Sequence, residues 1–272
     1  MAFYKITLAY DGAGFCGWQA QPGQRTVQGE LERAWLEITG ETVRFNAAGR
    51  TDAGVHAAGQ VVSVESATRI QPESLVGALN AKLPDDAAVV SVEPAAEGFH
   101  ATHDAKFKRY RYSIYNHPRR PVFVRNYAWH VPTPLDVEAM QLGGQALVGT
   151  HDFVSFQSAG SERESTVRTI FAVEVHGPAA GQGASSDPLA PTKLGGGYSQ
   201  TPASEADYLI TIDVEGDGFL YNMVRSIAGT LIEAGRGKRE PGWVAEVRAA
   251  RDRTHAGQTA PAHGLMLLSV AY

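Results

Sequence analysis

Ala48-Gly49-Arg50-Thr51-Asp52-Ala53-Gly54-Val55-His56-Ala57 is the stretch on which the reading of this chain turns. It sets an arginine and a carboxylate two residues apart between glycines, with Val55 the one bulky neighbour. Glycine lets a backbone turn sharply and lets a ligand come close. A carboxylate in such a loop is open to two readings. One is a nucleophile or base; the other is a turn in which Asp52 hydrogen-bonds its own backbone. Residue types alone leave the turn ahead. The spacing Gly49-x-x-x-x-Gly54 matches a phosphate-binding loop, but Val55 stands where that loop requires lysine.

Outward from this stretch, periodicity marks the elements. Tyr4 to Tyr10 alternates and meets Asp11-Gly12, a strand and then a turn. Thr26 caps a helix with Val27, Leu31, Ala34, Trp35 and Ile38 at helical spacing, and Gly40 ends it. Gln60 to Glu65 reads as a strand, Pro72 starts a helix carrying Leu75, Val76 and Leu79, and Ala88 to Glu93 is another strand. The second half echoes this order. Phe107 to Tyr115 is a strand, and Thr133 and Pro134 are cap and first residue of a helix reaching about Val148. Val167 to Val175 and Tyr208 to Val214 alternate and pair as a hairpin. Met223, Val224, Ile227, Ala228 and Leu231 form a helical stripe closed by Gly235; a helix follows from about Pro241 to Ala250, then a strand from Leu265 to Tyr272. The expectation is an α+β fold with mainly antiparallel sheets in two similar halves, 1–104 and 105–272. Gly177 to Ala206, rich in Gly, Ala, Ser and Pro, reads as a long flexible loop.

A chain of 272 residues can bury a substantial core. Its net charge of −5, taken alone, argues against a nucleic-acid partner. The distribution points the other way. Ala105 to Leu135 holds no Asp or Glu, while Lys106, Lys108, Arg109, Arg111, Arg119, Arg120 and Arg125 interleave with Tyr110, Tyr112, Tyr115 and Tyr127. That mixture offers phosphate contacts and stacking faces. On charge alone, a solvated basic strand edge that discourages aggregation stays ahead. Cys16 is the only cysteine, so an internal disulfide or thiolate zinc cluster is excluded and a reducing cytoplasm fits. No signal-peptide pattern precedes Phe3, and no apolar run spans a bilayer. Asp213-Val-Glu215-Gly-Asp217-Gly218 resembles the start of a calcium loop, but its twelfth position is Val224, and its alternate acids read as a solvated strand face. His100 and His103 could share a helix face, yet further zinc ligands are wanting.

Several motifs follow one another in a fixed order: Gly17-Trp18-Gln19, Thr26-Val27-Gln28, Gly49-Arg50-Thr51-Asp52-Ala53-Gly54-Val55-His56, Phe99-His100-Ala101, Lys108-Arg109-Tyr110-Arg111-Tyr112 and Met223-Val224-Arg225. This ordered set closely resembles the tRNA pseudouridine(38-40) synthase family, the TruA type, from about Tyr4 to the C-terminus, and reverses the preference for a plain turn. The resemblance implies two pseudo-symmetric α+β halves whose sheets meet, with a positively charged cleft between them. It implies an isomerase that converts uridine to pseudouridine at positions 38, 39 and 40 of the tRNA anticodon stem-loop. It also implies a homodimer in which one tRNA contacts both subunits, with no cofactor, no metal and no membrane association. Carried over by motif, Asp52 is the catalytic aspartate, Tyr110 stacks on the target base and Arg225 pairs with Asp52. Arg50 is expected to contact RNA phosphate or to help splay the target nucleotide. Lys108, Arg109 and Arg111 are expected on the RNA backbone. Cys16 and the length of the Gly177 to Ala206 segment depart from the family pattern.

Asp52 is expected to be ionised at neutral pH, with a neighbouring Arg225 lowering its pKa by roughly one to three units from about 3.9. A non-catalytic RNA-binding module would account for the basic aromatic strand but not for the glycine-bracketed Asp52. A nucleoside hydrolase would account for a carboxylate at a sugar, but such enzymes usually need a second one, and the Asp52 motif supplies a single acid.

Overall fold

Tyr4, Ile6, Leu8 and Tyr10 are buried on one face of the first strand, β1 (Ala2–Tyr10), which is the alternation of a strand covered on one side. The cover is α1 (Val27–Thr39). Thr26 caps it by accepting from Gly29 N at 3.3 Å, and Gly40 ends it at φ 74°. Trp35 of α1 packs its ring 6.3 Å from Tyr4 and 5.5 Å from Phe45. After a short β2 (Asn46–Ala47) come β3 (His56–Ser66), α2 (Pro72–Asn80) with its proline in the first turn, and β4 (Ala87–Ala95). The second half contains β5 (Phe107–Asn116), β6 (Trp129–Val131), α3 (Val137–Gln145), β7 (Gly149–Asp152), β8 (Val167–His176), β9 (Lys193–Leu194), β10 (Gly197–Tyr198), β11 (Leu209–Gly216), α4 (Met223–Gly235), α5 (Trp243–Ala250) and β12 (Leu265–Ala271).

This computed structural model describes residues 1–160, 164–178 and 204–272, together with the backbone of β9 and β10. The expected loop from Gly177 to Ala206 lies largely outside the described residues. Among the described residues the strands form one ten-stranded sheet ordered β4-β1-β3-β12-β5-β11-β8-β7, with β2 on β3 and β6 on β5; β9 and β10 pair separately. Every neighbouring pair of the large sheet is antiparallel except β3–β12 and β5–β6. The expected α+β class with mainly antiparallel pairing therefore holds. The expected hairpin partners β8 and β11 do pair, through Thr211↔His176 to Gly216↔Ile170. β12 lies between β3 and β5, so the sheet is continuous from the first strand to β7. One buried cluster runs with it, from Ile6, Leu8 and Trp35 to Ile212, Ile227 and Leu231. Full burial of each such side chain is worth about 1.5–3 kcal/mol.

Two expected boundaries move. The third helix begins at Val137 under an Asp136 cap, not at Pro134. Asn116 explains the shift: its amide donates to Thr133 O at 2.7 Å and its carbonyl accepts from Leu135 N at 3.2 Å, so residues 133–135 serve the end of β5. Gly235 sits inside the last turn of α4 and does not cap it. Its hydrogen marks a close approach, since a Cβ there would stand 2.7 Å from the Met140 side chain.

Candidate active site

Asp52 lies on the loop between β2 and β3, and the backbone around it is held from several sides. Trp18 N donates to Thr51 O at 2.9 Å and Val55 N to Asp52 O at 3.1 Å. The Thr51 hydroxyl meets Tyr10 OH at 2.7 Å, and Gln60 donates its amide to Gly49 O at 2.7 Å. Gly54 takes φ 79°, a region that side chains disfavour. The loop is thus fixed while the Asp52 side chain stays 40% exposed. Among the described residues its carboxylate makes no hydrogen bond to its own backbone, so the self-bonded turn is not what forms.

Arg225 reaches this loop from the first turn of α4. Its Nη1 stands 3.9 Å from Asp52 Oδ2, at the outer edge of an ion pair. The guanidinium is aimed by other partners: Nε donates to Ala260 O at 2.7 Å and Nη1 to Asn222 Oδ1 at 2.7 Å. Residues 257–260 press on the same helix, because a Cβ at Gly229 would lie 1.8 Å from Gln258 O. Burial raises the Asp52 pKa above its ordinary value, and the Arg225 charge offsets only part of this. The expectation of a lowered pKa is thereby corrected: at this separation desolvation outweighs attraction.

Tyr110 on β5 shares the site. It is 8% exposed, its ring stands edge-on to Phe219 at 5.1 Å, and its hydroxyl lies beside the bare Cα of Gly49. Burial, with the neighbouring Tyr10 and Asp52, drives its hydroxyl well above the usual phenol range, so it stays protonated at neutral pH. Burial likewise pushes Tyr10 up to about 12.

The remaining basic residues divide by strand parity. Side chains alternate along β5, so Lys108 shares the face of Tyr110 while Arg109 and Arg111 take the other. Lys108 is half-buried with its side-chain carbons beside Gly49. Arg111 Nε donates to Asp213 Oδ1 at 2.7 Å, and Arg109 Nη2 to Asp213 Oδ2 at 2.8 Å and Glu174 Oε2 at 3.1 Å. The structure therefore does not bring Arg109 and Arg111 to the Asp52 site. Asp213 is 2% exposed, so the solvated acidic face expected of the run from Asp213 to Asp217 fails at Asp213, while Glu215 is half-buried and Asp217 is exposed. Glu174, His176 and Asp213 offer ligand atoms within 4.8 Å of one another, but both Asp213 oxygens already accept from arginines. Arg50 is exposed and has no ion pair among the described residues. The rings of His100 and His103 lie 4.2 Å apart and tilted at 41° in a turn, not on a helix.

Sequence reasoning missed Tyr10, Gln60, Phe219 and Asn222. Tyr10 ends a strand and Gln60 sits inside one; both read as ordinary strand positions until β1 and β3 are paired beneath the loop.

A profile of the tRNA pseudouridine synthase family matches residues 6–104 and 144–272. The chain belongs to that family. Among its relatives is a tRNA pseudouridine synthase A of Geobacillus sp. (strain WCH70), 43% identical over 269 residues, covering 98% of this chain and 97% of the relative. The enzyme of the same name from Brevibacillus brevis is 44% identical over 268 residues, 98% of each chain. That of Pelobacter propionicus is 42% identical over 272 residues, the whole of both. Among the described residues of this tRNA pseudouridine synthase family member, no helix is long and apolar enough to cross a membrane.

Proposed function

We propose that this chain isomerises uridine to pseudouridine at positions 38, 39 and 40 of the tRNA anticodon stem-loop, with Asp52 as the catalytic carboxylate. The observation that carries the reading is the convergence of three remote segments on one loop. Asp52 comes from the β2–β3 loop, Tyr110 from β5 and Arg225 from α4.

In this isomerisation the bond from the ribose carbon to N1 breaks, the base rotates, and a bond forms to C5. C5 loses a proton and N1 gains one, so the reaction as a whole needs no redox partner or group donor. Ionised Asp52 supplies the carboxylate at the sugar, as nucleophile at the ribose carbon or as base for a ribose proton. Arg225 offsets part of the rise that burial causes in the Asp52 pKa and so favours the ionised form. Tyr110 supplies the ring on which the target base stacks, with a neutral hydroxyl beside it. With the Asp52 side chain 40% exposed, the bound RNA itself must cover the site and keep water from trapping the sugar while the base is free. Arg50 and Lys108, on the loop and beside it, are suited to RNA phosphate. We further assign residues 1–104 and 105–272 as two halves flanking the cleft, a homodimer as the working form, and the cytoplasm, where a lone thiol stays reduced, as its place.

Tritium release from tRNA labelled at uridine C5, with no free uracil, is the expected result. Free uracil would indicate a hydrolase; tRNA binding without release would indicate a binding module.

A further inference from the structure

The acid-free stretch that draws attention in the sequence continues past β5 into the loop 117–128 joining β5 to β6. Here side chains point outward. Phe123 is 81% exposed, Val122 55% and Tyr127 43%, and Arg119, Arg120 and Arg125 are exposed beside them. Arg119 and Arg120 make no ion pair among the described residues. A single exposed apolar residue needs no explanation, but a neighbouring pair held out on a rigid backbone between arginines does.

The rigidity is visible. The Glu205 carboxylate accepts three successive backbone N–H groups, from Val122 at 2.7 Å and from Phe123 and Val124 at 2.9 Å each. Arg125 bonds back to Val122 O. The far end of the loop is fastened beside the Asp52 loop, to the first residue of β3 and to the turn after β1. Asn126 O lies 3.0 Å from Nε2 of buried His56, four residues after Asp52, and Tyr127 OH donates to Asp11 Oδ2 at 2.6 Å.

We propose that loop 117–128 is an RNA-docking element, with Phe123 stacking on an unpaired nucleotide close to the one that reacts and Arg119 and Arg120 holding phosphates. The inference rests on the tRNA substrate proposed above. A flat ring on a pre-ordered backbone accepts any base without sequence readout, and guanidinium groups on either side neutralise the backbone that carries it.

The test uses the full chain and a tRNA transcript carrying the target uridines, with binding measured across a salt series. Phe123→Ala should weaken binding about fivefold or more, the low end of one lost base stack. Phe123→Trp should bind at least as well as the parent. Arg119→Ala with Arg120→Ala should reduce the slope of log affinity against log salt by roughly 0.7–0.9 per phosphate contact. All three should keep the parent's melting temperature and oligomeric mass. Affinity within twofold for Phe123→Ala would overturn the proposal. So would a change in oligomeric mass in Phe123→Ala, which would make the loop an interface between copies. Because affinity is read without turnover, failure of the parent to form pseudouridine would count against the proposed function alone.

Discussion

Asp52 is held in a state that the fold resists. Its folded pKa lies above the ordinary value, with burial the leading cause. The folded chain therefore binds more protons than the unfolded one between the two values. Stability falls as pH rises through that window and stays lower above it. Asp52→Asn, which removes the charge, should melt no earlier than the parent at neutral pH, and any gain should shrink once the pH drops below the ordinary Asp value. The same variant should lose pseudouridine formation while tRNA affinity stays within about tenfold, or 1.4 kcal/mol. Early melting would show that the carboxylate supports the fold. Tyr110 gives a complementary case. Its hydroxyl has no hydrogen bond among the described residues, so Tyr110→Phe should cost within about 1 kcal/mol of stability. Single-turnover rate is the discriminating readout: a normal rate in that variant would remove the hydroxyl from the reaction. The run of glycines, an arginine and a carboxylate drew attention to Asp52 in the sequence, but residue types alone favoured a turn, and the role proposed for it came from the family resemblance. The sequence did not reveal the direction of the Asp52 pKa shift, which depends on how far Arg225 stands and how much protein surrounds the loop.

At the scale of elements, β5 is the instructive strand. Its alternation was in the sequence throughout, and parity alone separates Lys108 and Tyr110 from Arg109 and Arg111. What was not legible is the partner on the other face. Asp213 is brought opposite Arg111 by the β5–β11 register, a pairing of residues about a hundred positions apart. Burial alone would raise the Asp213 carboxyl, but the Arg111 and Arg109 hydrogen bonds outweigh it and hold the pKa below the usual range. That stabilisation is present above the ordinary Asp value and is lost as pH falls through the lowered one. Arg111→Ala should therefore destabilise the fold by about 1.5–3 kcal/mol, the range for hydrogen bonds to a charged group. The salt dependence of tRNA binding should not change. A clear drop in salt slope with unaltered melting would return Arg111 to the RNA path. α1 and α2 were readable from Thr26, Gly40 and Pro72 because caps act locally. The start of α3 was not, since Asn116 claims residues 133–135 from outside the helix. β2, β6 and β7, of two to four residues, are too short to show periodicity.

The whole molecule hangs on β12. It pairs with β3 through Met266↔His56 and Leu267↔Ala57, and with β5 from Leu265↔Tyr112 to Ala271↔Phe107. It thus ties the strand that follows the Asp52 loop to the strand that carries Tyr110. Deleting residues 265–272 opens two edges in the middle of the sheet, and the expected outcome is loss of cooperative thermal unfolding with exposed apolar surface. A truncated chain that still unfolds in one sharp transition would mean that each side is stable without the seam. The family resemblance implied sheets that meet; the residues read by themselves showed only strands and helices recurring in a similar order. Neither could say which strand joins them, because the pairing links segments about two hundred residues apart, beyond the reach of local pattern.

A strand in that position also sets an order of events during synthesis. β3 leaves the ribosome roughly 200 residues before β12 does. At a usual elongation rate this is an interval of about 10–40 s. Through that interval β3 has β1 and β2 beside it, but its other edge has no partner, and Met266 is not there to brace His56. A nascent chain can collect its helices and most of its sheet, yet the floor under Asp52 closes only when β12 arrives. Until then the β3 edge stays open to strand addition, and nothing yet ties that strand to the one that carries Tyr110.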